Sequence, residues 1–149
     1  MSRVCDEVLR GGLRRPGLLA WLRLMRVYQK VDRASAEHLR GWGLSVAQFD
    51  VLARVGSQAG IKQQEVADLL LVTKGNVCQL LDRMEDRGLI LRRREGRANH
   101  LFLTEAGRRL YDEAVPAQEA MVSERFSALS DEEQAQLHEL LRKLDTSLG

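Results

Sequence analysis

The feature that most limits what this chain can fold into is a change of hydrophobic period near residue 88. Upstream, Val77, Leu80, Leu81 and Met84 recur at the i, i+3, i+4, i+7 spacing of a helix with one apolar side. Gly88 then supplies a left-handed stop, followed by Leu89-Ile90, the order a Schellman ending prefers. Immediately afterwards Leu89-Ile90-Leu91-Arg92-Arg93-Arg94 and His100-Leu101-Phe102-Leu103 form two short strand-like runs. Residues 95–99 separate them, with Gly96 and Asn99 suited to the tip of a hairpin.

The flanks are helical. Residues 1–16 are polar and Arg-rich with Gly11, Gly12 and Pro16, the pattern of a loose arm. From Gly17 to Leu39 an amphipathic pattern runs through Leu18, Trp21, Leu22, Met25, Tyr28 and Val31, ending at Gly41-Trp42-Gly43. Ser45-Val46-Ala47-Gln48 is a capping box opening a second helix with Phe49, Leu52 and Val55 inward. A third helix is expected from about Lys62, and Thr73 is expected to cap the fourth. Past the hairpin, Thr104 and Glu105 start a long helix that Pro116 is expected to kink or break. Ser130-Asp131-Glu132-Glu133 is a second capping box, and the last helix carries Leu137, Leu140, Leu141, Leu144 and Leu148 as a stripe. The order is four helices, a hairpin and two helices, read as one domain over 17–149. Within it 44–104 is a compact middle, and 17–43 and 105–149 are long amphipathic ends.

Charge is divided unevenly along the chain. Its net value of +2 hides seven basic against two acidic residues over 87–109, and three against nine over 110–149. A local basic block on a near-neutral protein suggests a polyanion contact, although a solvated face would look the same. With 149 residues the chain can bury a core without staples. No apolar run approaches the roughly 20 residues that span a bilayer. The start lacks a signal-peptide core, and two distant cysteines, Cys5 and Cys78, make neither a disulfide framework nor a metal knuckle. A cytoplasmic setting is the expectation. His38, His100 and His138 are scattered without metal-ligand spacing, and no nucleophile elbow, P-loop or dinucleotide glycine pattern occurs. No enzyme activity and no cofactor is expected.

A helix fits the major groove of B-DNA, with its N-terminal residues reaching base edges. Opposite its apolar side the fourth helix presents Lys74, Asn76, Cys78, Gln79 and Arg83. Asn and Gln can pair bidentately with adenine, while Lys and Arg serve guanine or phosphate. Thr73, Lys74 and the free amides of the first turn suit a phosphate oxygen, and Gly75 allows close approach. Arg92, Arg93 and Arg94 alternate faces, so Arg92 and Arg94 share one, and Arg97 at the tip can enter a minor groove. A surface helix with common polar residues remains an alternative for the helix alone. The hairpin makes the combination more specific.

These residues resemble the MarR family of bacterial transcription regulators. The stretch Ile61-Lys62-Gln63-Gln64-Glu65-Val66-Ala67-Asp68-Leu69-Leu70-Leu71-Val72-Thr73-Lys74-Gly75-Asn76-Val77 is similar to the family's helix-turn-helix. Glu95-Gly96-Arg97-Ala98, followed by Leu103-Thr104-Glu105-Ala106-Gly107, resembles its wing tip and the Leu-Thr-x-x-Gly that follows. Three positions depart from the pattern: Glu95 where Asp is usual, Gly96 where a first Arg is frequent, and Leu71 at a turn position commonly held by Gly.

The resemblance implies a mainly α fold with a small β-hairpin wing, a winged helix-turn-helix with N- and C-terminal dimerisation helices. It implies a homodimeric repressor on pseudo-palindromic double-stranded DNA. It also implies a small, often aromatic anionic effector between the dimerising helices and the DNA-binding region. Trp21, Tyr28 and Trp42 are candidate walls, Arg23, Arg26 or Arg54 candidate counter-ions and Asp50 a polar handle; plain core or interface aromatics are the alternative. Redox sensing through Cys5 or Cys78, against inert thiols, and a protein-interaction role for the winged module stay open as rivals.

Overall fold

Pro16 opens the first helix, α1 (Pro16–Leu39), at the position where a missing N–H costs no hydrogen bond. The computed structural model describes residues 15–70 and 74–149. The expected arm, residues 1–16, thus shares Pro16 with α1. Its residues 1–14, Cys5 included, and the turn with Leu71 and Thr73 lie outside the described residues. A 3-10 turn (Arg40–Trp42) and Gly43 close α1. Ser45 then caps α2 (Val46–Ser57) in a reciprocal capping box, its hydroxyl accepting the Gln48 N–H at 3.1 Å.

Next come β1 (Ile61–Lys62), α3 (Gln63–Leu70), α4 (Lys74–Asp86), β2 (Ile90–Glu95) and β3 (Ala98–Leu103). The chain ends with α5 (Glu105–Arg125) and α6 (Asp131–Leu148). The three strands form one antiparallel sheet in the order β1-β3-β2. The helix expected from about Lys62 is present from Gln63, and the expected two-stranded hairpin is corrected to a three-stranded sheet. Ile61 and Lys62 pair instead with Leu101 and His100, a long-range register that local periodicity does not encode. Of the kink or break expected at Pro116, the break is absent: the residue lies inside α5 without ending it. Proline removes one hydrogen bond, but Ala114, Val115 and Gln118 around it are buried, and that packing holds the helix together.

One core joins the helices to the sheet. Val51, Leu52 and Val55 of α2, Val66 of α3, and Val77, Leu81 and Met84 of α4 meet Ile90 and Leu101 with no exposed surface. The apolar side read for α4 is thus its buried side. Its Schellman ending is also present: Gly88 has φ +71°, the Leu89 N–H reaches the Met84 carbonyl at 3.0 Å, and the Gly88 N–H reaches Glu85 at 2.9 Å.

The same corner receives α5. The Thr104 N–H donates to the Leu89 carbonyl at 3.1 Å, and the Thr104 hydroxyl donates to the Gly88 carbonyl while accepting the Gly107 N–H at 2.9 Å. Gly107 is buried so tightly that a Cβ there would stand 2.0 Å from the Leu89 carbonyl oxygen. The Thr-x-x-Gly spacing is therefore a docking device, a cap followed by a close backbone approach. Among the described residues no helix is long and apolar enough to cross a membrane. Gly107→Ala is expected to cost about 1–3 kcal/mol, as overpacking against rigid backbone does. Urea unfolding should show a lower midpoint with unchanged slope, and Gly17→Ala, where a Cβ meets nothing within 4 Å, should show no loss.

Candidate nucleic-acid interface

With Val77, Leu81 and Met84 turned inward, helical geometry leaves Asn76, Cys78, Gln79 and Arg83 exposed along the other side of α4. Lys74 and Gly75 form its first turn. Of the residues expected to meet a polyanion, Asn76, Cys78, Gln79 and Arg83 lie on this exposed side of α4, while Thr73 lies outside the described residues. Cys78 is exposed, and its Sγ accepts from the Gln63 amide at 3.3 Å. The Gln63 carbonyl oxygen in turn accepts from Asn99 at 3.5 Å, so one side chain of α3 ties α4 to the wing.

The wing is a hairpin of two six-residue strands with Gly96 (φ +63°) and Arg97 at its turn. Its register places Arg92 opposite Leu101, Arg93 opposite His100 and Arg94 opposite Asn99. Alternation puts Arg92 and Arg94 on the side of buried Ile90, toward α4, and Arg93 on the other side, 5.2 Å from the Phe102 ring centroid. Arg92 makes a double ion pair with α4: its Nε donates to Glu85 at 3.0 Å and its Nη2 donates to Asp82. Burial opposes the charge on this guanidinium, and the two carboxylates outweigh it and hold it protonated. Asp82 and Glu85 are one turn apart, so together they fix where the wing stands beside the helix.

The basic block is not a uniform stripe. Arg87 donates to the Gly43 carbonyl at 2.8 Å, Arg108 to the Gly56 carbonyl at 3.1 Å, and Arg109 pairs with Glu105. With Arg92 also engaged, the cations presented outward on the wing are Arg93, Arg94 and Arg97, all exposed. Sequence reasoning missed Gln63, Asp82, Glu85 and Asn99. An i, i+3 carboxylate pair on a helix followed by an Arg-rich strand is the signal that would have found the clamp.

A second feature lies between α1, α2 and α5, a groove of about 510 Å³ lined by Ser35, Phe49, Asp50, Val115, Gln118 and Glu119 among others. Of the expected effector residues, Asp50 lines it and Trp21, Arg23, Tyr28 and Arg54 do not. The reason is distance along α1: Trp21 precedes Ser35 by about 21 Å of helix at roughly 1.5 Å per residue. Trp21 and Tyr28 are exposed on α1, and Trp42 packs edge-on to His38 with ring centroids 5.0 Å apart. His38 Nδ1 donates to the buried Gln118 side chain at 2.8 Å, and His100 Nδ1 donates to the Gly60 carbonyl at 2.9 Å, so both rings hold the fold together. Among the described residues no group of three His, Cys, Asp or Glu side chains is placed to hold a metal ion.

Burial raises the Asp50 carboxyl above its ordinary value of 3.8; Arg54 pulls it down and Asp32 pushes it up. A folded-state carboxyl that is harder to ionise costs stability above its raised pKa, and the cost fades as pH falls toward 3.8. Asp50→Asn is therefore expected to raise the melting temperature at pH 7, with the difference closing below about pH 4 in a pH-stepped thermal series.

Comparison with known proteins agrees with this geometry. A family model described as the MarR family matches residues 42–98, which include α4 and most of the wing. An uncharacterized HTH-type transcriptional regulator of Bacillus cereus is 36% identical over 129 residues, covering 86% of this chain and 88% of its own. The crystal structure of a cysteine-to-serine mutant of MarR from E. coli complexed with operator DNA superposes with TM-score 0.76 at 28% identity, covering 86% of this chain and 95% of that one. CouR from Rhodococcus jostii RHA1, bound to p-coumaroyl-CoA, gives TM-score 0.76 at 30% identity, with 84% and 90% covered. A helix with a polar outer face, an arginine-tipped wing pinned beside it and relatives of this kind together identify the chain as a member of the MarR family of DNA-binding winged-helix transcription regulators.

Proposed function

We propose that this regulator is a dimeric repressor that grips a pseudo-palindromic duplex and is released by a small effector seated in the groove between α1, α2 and α5. The observation carrying the DNA mode is the exposed α4 face held beside the arginine-tipped wing by the Arg92 clamp. In this mode Asn76, Gln79 and Cys78 face base edges in the major groove, with Lys74, Gly75 and Arg83 near the backbone. Arg97 reaches the adjacent minor groove, Arg94 serves a phosphate, and Arg92 positions the wing instead of touching DNA. The E. coli relative bound to operator DNA supports this reading.

Dimerisation is supported by α6. This helix of 18 residues buries none of them, and Leu140, Leu144 and Leu148 are 66%, 50% and 78% exposed. An amphipathic helix owes most of its stability to packing of its apolar face, so this stripe calls for a partner. Trp21, Val27 and Tyr28 on α1 add exposed apolar surface. A second copy covering both gives two recognition helices about 34 Å apart, one turn of duplex. The groove joins α2 of the DNA-binding middle to α1 and α5 of the dimerising ends, so an occupant there bears on the spacing of the two helices. CouR with its bound thioester supports an effector role for such a protein.

A gel-shift with the DNA upstream of the protein's own gene tests the proposal: saturable binding that a scrambled duplex does not reproduce is expected, and equal binding to both overturns it. Arg97→Ala is expected to weaken specific binding by about 1–3 kcal/mol at matched salt, with an unchanged melting temperature. Asp82→Asn combined with Glu85→Gln leaves every outward cation in place but frees the wing. Fluorescence anisotropy should nevertheless show weaker specific binding for it at matched salt, although the variant also releases Arg92 as a further cation.

A further inference from the structure

The α1/α2/α5 groove has a charge character that the effector reading alone does not specify. Its apolar surface comes from Val46, Phe49, Val115 and Val122, with Ser35 and Ser123 as neutral polar groups. Its ionisable lining groups are Asp50 and Glu119, both carboxylates, and no Lys, Arg or His lines it among the described residues. Asp50 is half-buried and forms no ion pair among the described residues. Arg54, one turn further along α2, is exposed and outside the lining; it attracts the Asp50 carboxylate, and Asp32 opposes it with a smaller repulsion. Gln118 lines the groove with its carbonyl oxygen already taken by His38, leaving an amide to face an occupant.

An anion entering this groove meets the half-buried Asp50 carboxylate and the exposed Glu119 with no cation lining the wall, and repulsion at Asp50 is stronger than in water. A cation meets the reverse. It recovers at Asp50 the interaction that burial has taken from the carboxylate, and Phe49 offers it an aromatic face. Apolar walls around a charged centre of one sign suit a molecule with an apolar body and a single opposite charge.

We propose that the groove takes a lipophilic organic cation, an aromatic or aliphatic body carrying an ammonium- or phosphonium-type charge, and that Asp50 and Glu119 select it by pairing with that charge. The proposal rests on the effector reading above and replaces the expectation of an aromatic acid. That expectation drew its counter-ions from Arg23, Arg26 and Arg54, none of which lines the groove.

Tetraphenylphosphonium and tetraphenylborate have the same shape and opposite charge, so they isolate the sign. Calorimetric titration of the full chain should show saturable phosphonium binding at least tenfold tighter than borate binding. The Asp50→Asn, Glu119→Gln double variant should lose at least tenfold in phosphonium affinity and keep its melting transition; should it fail to fold, Glu119→Gln alone should show a smaller loss in the same direction. Borate binding as tight as phosphonium, no phosphonium binding, or a folded variant with unchanged phosphonium affinity each overturns the proposal. The upstream-DNA gel-shift separates the two levels. DNA binding without phosphonium binding overturns the cation site and leaves the regulator, whereas phosphonium binding without DNA binding does the opposite.

Discussion

Arg92 and the two carboxylates it meets on α4 set the relation between wing and helix on which the proposed DNA recognition depends. A helix can lie in a major groove in many orientations, and a hairpin can swing about its base. What makes a two-groove reader is a fixed angle between them. Here the angle is set twice, by Asp82 and Glu85 holding Arg92 from one side and by the Asn99–Gln63–Cys78 bridge from the other. The exposed location limits what each contact adds to stability, because partly solvated ion pairs contribute little to folding. Their effect is on direction, since the unclamped wing would have to lose that freedom on meeting DNA.

The clamp is anchored in a corner where backbone does most of the holding. Gly88 turns the chain, Leu89 returns bonds to α4 and accepts one from Thr104, and Gly107 lies against the Leu89 carbonyl. Three elements, α4, β2 and α5, thus share one peptide neighbourhood. A shift of α5 is then passed to the wing without any long chain of side chains. Because α5 also forms a wall of the groove, the proposed effector acts on an element already locked to the DNA-reading part.

How much of this was readable in advance depended on how local the cause was. Both capping boxes, the Schellman ending, the buried side of α4 and the hairpin are set by residues within a few positions of one another, and each is present as read. The strand β1 was hidden because two residues carry no period and their partners stand about forty positions away. That α5 does not break at Pro116 has a related reason: the proline's local cost is real, but Ala114, Val115 and Gln118 are buried around it. The pairing of Arg92 with Asp82 and Glu85 was hidden because an arginine in a basic run shows its charge and not its partners. The groove was legible only at Asp50, since its walls come from three helices far apart in the chain, whereas aromatic residues drew attention to Trp21 and Tyr28 on the exposed part of α1.

The distribution of charge follows from the same geometry. Net basicity over 87–109 is partly consumed inside the protein, by carboxylates at Arg92 and Arg109 and by backbone carbonyls at Arg87 and Arg108. What remains outward is three arginines on a thin hairpin, beside a helix that exposes Asn76, Cys78, Gln79 and Arg83. A diffuse basic surface would bind any duplex and slide. A few cations held at fixed positions next to hydrogen-bonding side chains make the electrostatic gain depend on correct placement of the helix, so binding strength and sequence reading become one geometric condition.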